Sequence, residues 1–105
     1  MESKIPDIFN DIFALSLDFA HGNVDYSFNK LHSAMKTNVY GLFCEITEDF
    51  IDSMICGRKV SKEQLQTLYD NLISFGEEFK VERSKAIAAN VKEEIDQMSA
   101  EEKEE

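Results

Sequence analysis

Four carboxylates stand close together near the middle of the chain: Glu45, Glu48, Asp49 and Asp52. At steps of three and four residues they share one sector of a helix. There they could ligate a metal ion, work as an acid/base pair, or present a row of negative charge. A di-metal site in a helical bundle needs inward carboxylates combined with Glu-x-x-His steps. Neither His21 nor His32 stands three residues after a glutamate, and the spacing of a calcium loop is missing as well. The row reads as a solvated or partner-facing acidic surface, with no metal and no cofactor expected.

His21 has Asp18 one turn before it, but Ser16 falls on another helical face, so nucleophile, base and orienting acid do not line up. A cation at His21 suits a helix C-terminus, and His32 reads as a half-buried packing residue. The chain contains no GxSxG, CxxC or P-loop motif, and a non-enzymatic protein is expected. Cys44 and Cys56 are twelve residues apart. In one helix that is about 18 Å of rise, out of disulfide reach. They read as small buried thiols in a reducing compartment.

Basic residues form two clusters against the acidic background. Arg58, Lys59 and Lys62 gather where a helix begins, so free N–H groups and the helix dipole add to their positive potential. Lys80, Arg83 and Lys85 form the second cluster. Brought together at an oligomer interface, the two would make an anion pocket for a phosphate-bearing small ligand such as a nucleotide.

The elements that must position these groups are all helical by pattern. Val39, Leu42, Phe43, Ile46, Phe50 and Met54 recur at three- and four-residue steps, and Tyr40, Cys44, Ile51 and Ile55 widen that face. An arc so wide exceeds the stripe of a surface helix and calls for enclosure by other helices. Upstream, Val24, Phe28, Leu31 and Met35 keep the same phase, so the spacing predicts one helix from Val24 to Cys56. Thr37-Asn38 and Gly41 are its weak points, where a kink or short break would fall. Before it, Ser3 and Pro6 start a first helix of about Lys4 to His21. Ile5, Ile8, Phe9, Ile12, Phe13, Leu17, Phe19 and Ala20 form its apolar stripe, and Gly22 ends it.

Gly57 closes the central helix, and Ser61 with Gln64 makes a capping box flanked by Val60 and Leu65 as a hydrophobic staple. Leu65, Leu68, Leu72, Phe75 and Phe79 then form a helix-packing seam. The phase slips within Glu77 to Lys85. Val81, Ser84, Ala88, Val91, Ile95 and Met98 resume the rhythm on a shifted face, so a bend or a change of partner is expected there. Residues 1–98 are expected to form a single helical domain, and 99–105 an acidic tail that is disordered or frayed.

The expected fold class is all-α: a short N-terminal helix and a long antiparallel hairpin. Read as unbroken, each long helix would reach roughly 50 Å, more than the first helix covers. Val91, Ile95 and Met98 would then lie exposed, and pairing of two hairpins into a four-helix bundle would bury them. A homo-oligomer, most simply a homodimer, is the expectation.

Eleven basic residues against twenty-one acidic ones leave a formal charge of −10. That charge disfavours direct binding to DNA, RNA or an anionic membrane. No apolar run resembles a membrane span or a secretory leader, and a cytoplasmic location is expected. The leading functional reading is a helical protein-binding module (an inhibitor, adaptor or assembly chaperone) whose contact includes Tyr40, Phe43, Ile51 and Ile55. One alternative is sequestration of the phosphate-bearing ligand at the basic clusters. Another is an acidic nucleic-acid mimic that uses Glu45, Glu48, Asp49 and Asp52 to block a DNA- or RNA-binding protein.

Overall fold

The computed structural model describes residues 3–26 and 38–104. Among them the chain forms four helices and no strand: α1 (Ile5–Ala20), α2 (Val39–Ile55), α3 (Lys62–Phe79) and α4 (Glu82–Glu104).

In α1, Pro6 occupies the first turn, where its missing N–H costs no hydrogen bond. Ile8, Ile12, Leu15 and Phe19 are its buried residues. This seam differs from the expected stripe: Leu15 is fully buried, whereas Phe13 and Leu17 are 52% and 44% exposed. Steps of four, three and four keep Leu15 above Ile8 and Ile12, while Phe9, Phe13 and Leu17 form a second row beside them. Gly22 adopts φ 71°, and Asn23 donates to the Asp18 carbonyl at 2.8 Å, closing the helix through a left-handed cap.

The uninterrupted helix expected from Val24 to Cys56 does not occur. Residues 23–26 are not helical, and α2 begins afresh at Val39. Asn38 has an extended backbone, and its Oδ1 accepts from the Gly41 N–H at 2.9 Å. An asparagine at this position can satisfy one of the free N–H groups of a new helix start, which lets the weak point become a boundary. Phe28, Leu31 and Met35 of the expected stripe, and His32, lie outside the described residues.

α2 turns its Val39, Phe43, Thr47, Phe50 and Ser53 side inward. Gly57, at φ 71°, ends it, with Arg58 donating to the Ser53 carbonyl at 2.8 Å. α3 opens with the expected capping box: Ser61 Oγ accepts from the Gln64 N–H, and the Gln64 side chain accepts from the Ser61 N–H. Val60 and Leu65 are both buried, as are Leu68, Leu72, Phe75 and Phe79 of the seam.

The phase slip proves to be a reversal of the chain, so the last long helix is two helices. Lys80 takes a left-handed conformation at φ 60°, and the N–H groups of Lys80 and Val81 both point to the Gly76 carbonyl. α4 then folds back along α3, and the Ser84 hydroxyl donates to the Leu72 carbonyl at 2.7 Å. The backbones approach closely at Gly76, where a Cβ would lie 2.5 Å from Lys85 Cγ and 3.0 Å from the Val81 carbonyl oxygen. Only glycine fits there without displacement. α4 continues to Glu104, so the acidic residues after Ser99 extend that helix.

Each helix runs opposite to its neighbours around a ring. α1 meets α4 through Ser3 with Glu94 at one end and Asp18 with Arg83 at the other. α2 meets α3 through Ser53 with Gln64 at one end and Phe43 with Phe75 towards the other. Phe19 of α1 packs on Phe43 of α2 at 5.4 Å between ring centres, completing the ring. Within it Val91 is fully buried, Ile95 is 4% exposed, and Met98 packs half-buried against the core. The exposure from which a dimer was expected therefore does not arise, because α4 returns these side chains to the core of its own chain.

Candidate functional site

The wide face of α2 is shared between α1 and α3, and part of it stays at the surface. Phe43 is fully buried against Phe19 and Phe75, so it cannot join a surface contact as expected. The capped start at Val39 directs Phe43 and Phe50 to the centre of the bundle. Tyr40 and Ile55 remain on the surface at 43% and 71% exposure, and Ile51 is half-buried between them.

Along the line where α2 passes α1 lies an open groove of about 500 Å³. α1 contributes Phe13 and Ser16. α2 contributes Tyr40, Cys44, Thr47 and Ile51, with Glu45, Glu48 and Asp52 along its outer edge. Thr47, whose hydroxyl donates to the Phe43 carbonyl at 2.9 Å, adds no free polar demand to the floor. Phe13 stacks on Phe9 with ring centres 6.3 Å apart. The Tyr40 pKa is raised, first by its hydrogen bond to Cys44 and then by the charge of a Cys44 thiolate.

All four carboxylates are exposed and form the ridge expected from their spacing. On its other side, Glu45, Glu48 and Asp49 border a more polar groove of about 440 Å³ against Glu63, Gln64, Thr67 and Asn71 of α3. Among the described residues no ion pair engages Glu45, Glu48, Asp49 or Asp52, and no three His, Cys, Asp or Glu side chains converge on a point that could hold a metal ion.

The two basic clusters are not brought together within the chain. Arg58 and Lys59 sit beyond the end of α2, beside a groove of about 420 Å³ with Ser3, Pro6, Met54 and Met98. Lys62 begins α3, and Lys80 follows its last residue. The length of α3, about 27 Å, separates the groups. At the far end Arg83 is tied to Asp18 of α1 at 2.6 Å and Lys85 lies 3.4 Å from Glu82, so both are engaged in ion pairs. His21 is exposed, and its backbone N–H closes α1. Cys44 and Cys56 are free thiols. Cys44 is half-buried, but Cys56, expected inside, is exposed because it lies past the last turn of α2.

Two features had no counterpart in the sequence reading. One is the second row of α1, half-buried at Phe9 and exposed at Phe13 and Leu17, whose signal is an apolar arc too wide for a single packing seam. The other is Glu94, only 5% exposed, which accepts from the Ser3 hydroxyl and the Lys4 N–H at 3.0 Å each. A carboxylate from α4 thus satisfies the start of α1, and no local pattern announces it.

No helix among the described residues is long and apolar enough to cross a membrane. No protein-family model, curated protein or solved structure matches this chain.

Proposed function

We propose that the chain is a non-enzymatic protein-binding module whose contact is the groove between α1 and α2. The observation that carries this reading is the exposure of Phe13 and Tyr40 at the mouth of an apolar groove, while Phe19, Phe43, Phe50, Phe75 and Phe79 are buried in the core. Apolar side chains left on a rigid helical surface gain about 25 cal/mol for each Å² that a partner covers, and grouped exposure marks docking surfaces. An inhibitor, adaptor or assembly chaperone would each use such a face.

The alternatives draw less support. Sequestering a phosphate-bearing ligand called for the two basic clusters to meet, and within one chain they stand at opposite ends of α3. Nucleic-acid mimicry would use the ridge of Glu45, Glu48, Asp49 and Asp52 alone, leaving the apolar floor beside it without a role. Self-association would place a second copy on the groove.

A photo-crosslinking amino acid placed at Phe13 or Ile51, in the cells that make the protein, tests the reading. A discrete adduct from both positions, with none from a control at Glu77 on α3, is the expected result. An adduct of twice the chain mass would assign the groove to self-association. Equal labelling from groove and control positions would overturn the docking reading.

A further inference from the structure

We infer that the groove between α1 and α2 accepts a basic amphipathic helix, an inference that rests on the docking reading above and specifies its occupant. The two walls differ in charge. On the α2 side Glu45, Glu48 and Asp52 are exposed and engage no ion pair among the described residues. On the α1 side Phe13 and Ser16 carry no charge. A complementary segment therefore needs apolar side chains for the floor and lysine or arginine along one flank only, matched to carboxylates spaced three and four residues apart.

The occupant's backbone is constrained as well. The groove is walled by helices, whose N–H and C=O groups are already paired along their axes. An extended segment lying there would find no sheet edge and would leave its own backbone groups unsatisfied on the apolar side. A helix brings its hydrogen bonds with it. From Tyr40 to Asp52 the groove runs about 18 Å, room for about twelve residues of helix. A second copy of the chain is the poorer occupant, since each copy carries a formal charge of −10 and the same acidic ridge.

The test is fluorescence anisotropy with three labelled synthetic peptides of about 14 residues. The first places leucines at helical three-four spacing with lysines along one flank. The second replaces every lysine with glutamate, and the third scrambles the first. The lysine helix should bind the whole chain at least about tenfold more tightly than either control. The variant carrying Glu45→Lys, Glu48→Lys and Asp52→Lys should reverse the order of the lysine and glutamate peptides. Should that variant not fold, a salt series on the unaltered chain decides: raising salt from about 50 to about 300 mM should weaken the lysine helix about tenfold.

Equal binding of the scrambled peptide would reduce the effect to unspecific charge attraction and overturn the inference. Equal binding of the lysine and glutamate helices, both lost with Phe13→Glu, would also overturn it while leaving the groove a docking site. Failure of the lysine helix to bind overturns it too, and crosslinking from positions 13 and 51 then judges the docking reading independently.

Discussion

The α3–α4 pair and the α1–α2 pair are both antiparallel, yet they meet in different ways. α3 and α4 close around Gly76, with a buried hydroxyl-to-carbonyl bond from Ser84 to Leu72 and a row of buried residues on both helices. α1 and α2 touch through Phe19 and Phe43, then leave a groove with Phe13 and Tyr40 at its mouth. Glycine at the crossing lets the first pair reach contact distance, whereas ring side chains and a ridge of carboxylates line the second. One pair is closed by packing, and the other leaves apolar side chains exposed along its groove.

Substitutions should expose that asymmetry. Phe75 is 3% exposed and meets the rings of Phe19, Phe43 and Phe79 at 5.8, 5.2 and 4.9 Å. Phe75→Ala should cost about 3–5 kcal/mol, enough to threaten the fold of a small domain, and the urea midpoint would record it. Gly76→Ala should cost about 1–3 kcal/mol by overpacking. Its Cβ can push aside the Lys85 side chain but not the Val81 carbonyl. A wild-type melting temperature for that variant would show the α3–α4 contact to be looser than described.

Glu94→Ala removes the acceptor shared by Ser3 and Lys4. A loss of about 1–2 kcal/mol is expected, together with faster hydrogen exchange in the first turn of α1. Unchanged exchange there would mean that α4 does not anchor that end. Phe13→Ser, by contrast, should alter stability by no more than about 0.5 kcal/mol, because the ring is 52% exposed. A large loss in a thermal melt would place Phe13 in the core and dissolve the comparison.

The smallest effect concerns Lys4, whose pKa is raised from its ordinary 10.5 by its hydrogen bond with Glu93 and then by that residue's charge. A raised lysine contributes stability below its ordinary value and loses it as pH rises through the folded value. Lys4→Met should remove that alkaline slope from a stability-against-pH series and leave the neutral range nearly level.

Much of the site was legible because its parts are local. The spacing of Glu45, Glu48, Asp49 and Asp52 sets them on one ridge whatever surrounds the helix. Tyr40, Ile51 and Ile55 are legible as apolar surface beside it, but spacing groups Phe43 with them because it does not say which part of a wide apolar arc a neighbour covers. The same limit holds on α1, where spacing places Phe13 in the apolar stripe and leaves out Leu15, although Leu15 is the buried one.

The helical class, the cap at Ser61, the glycine stops at Gly22 and Gly57, the α3 seam and the acidic ridge are all legible in the chain before it folds. These follow from hydrogen bonds and side-chain periodicity over a few residues. The reversal at Lys80, the hold of Glu94 on the start of α1, the cover of Val91 and Ile95 within the same chain and the separation of the basic clusters emerge from packing alone. Each of these depends on groups distant in sequence meeting in space, and the energy of such a contact exists only once both elements are in place.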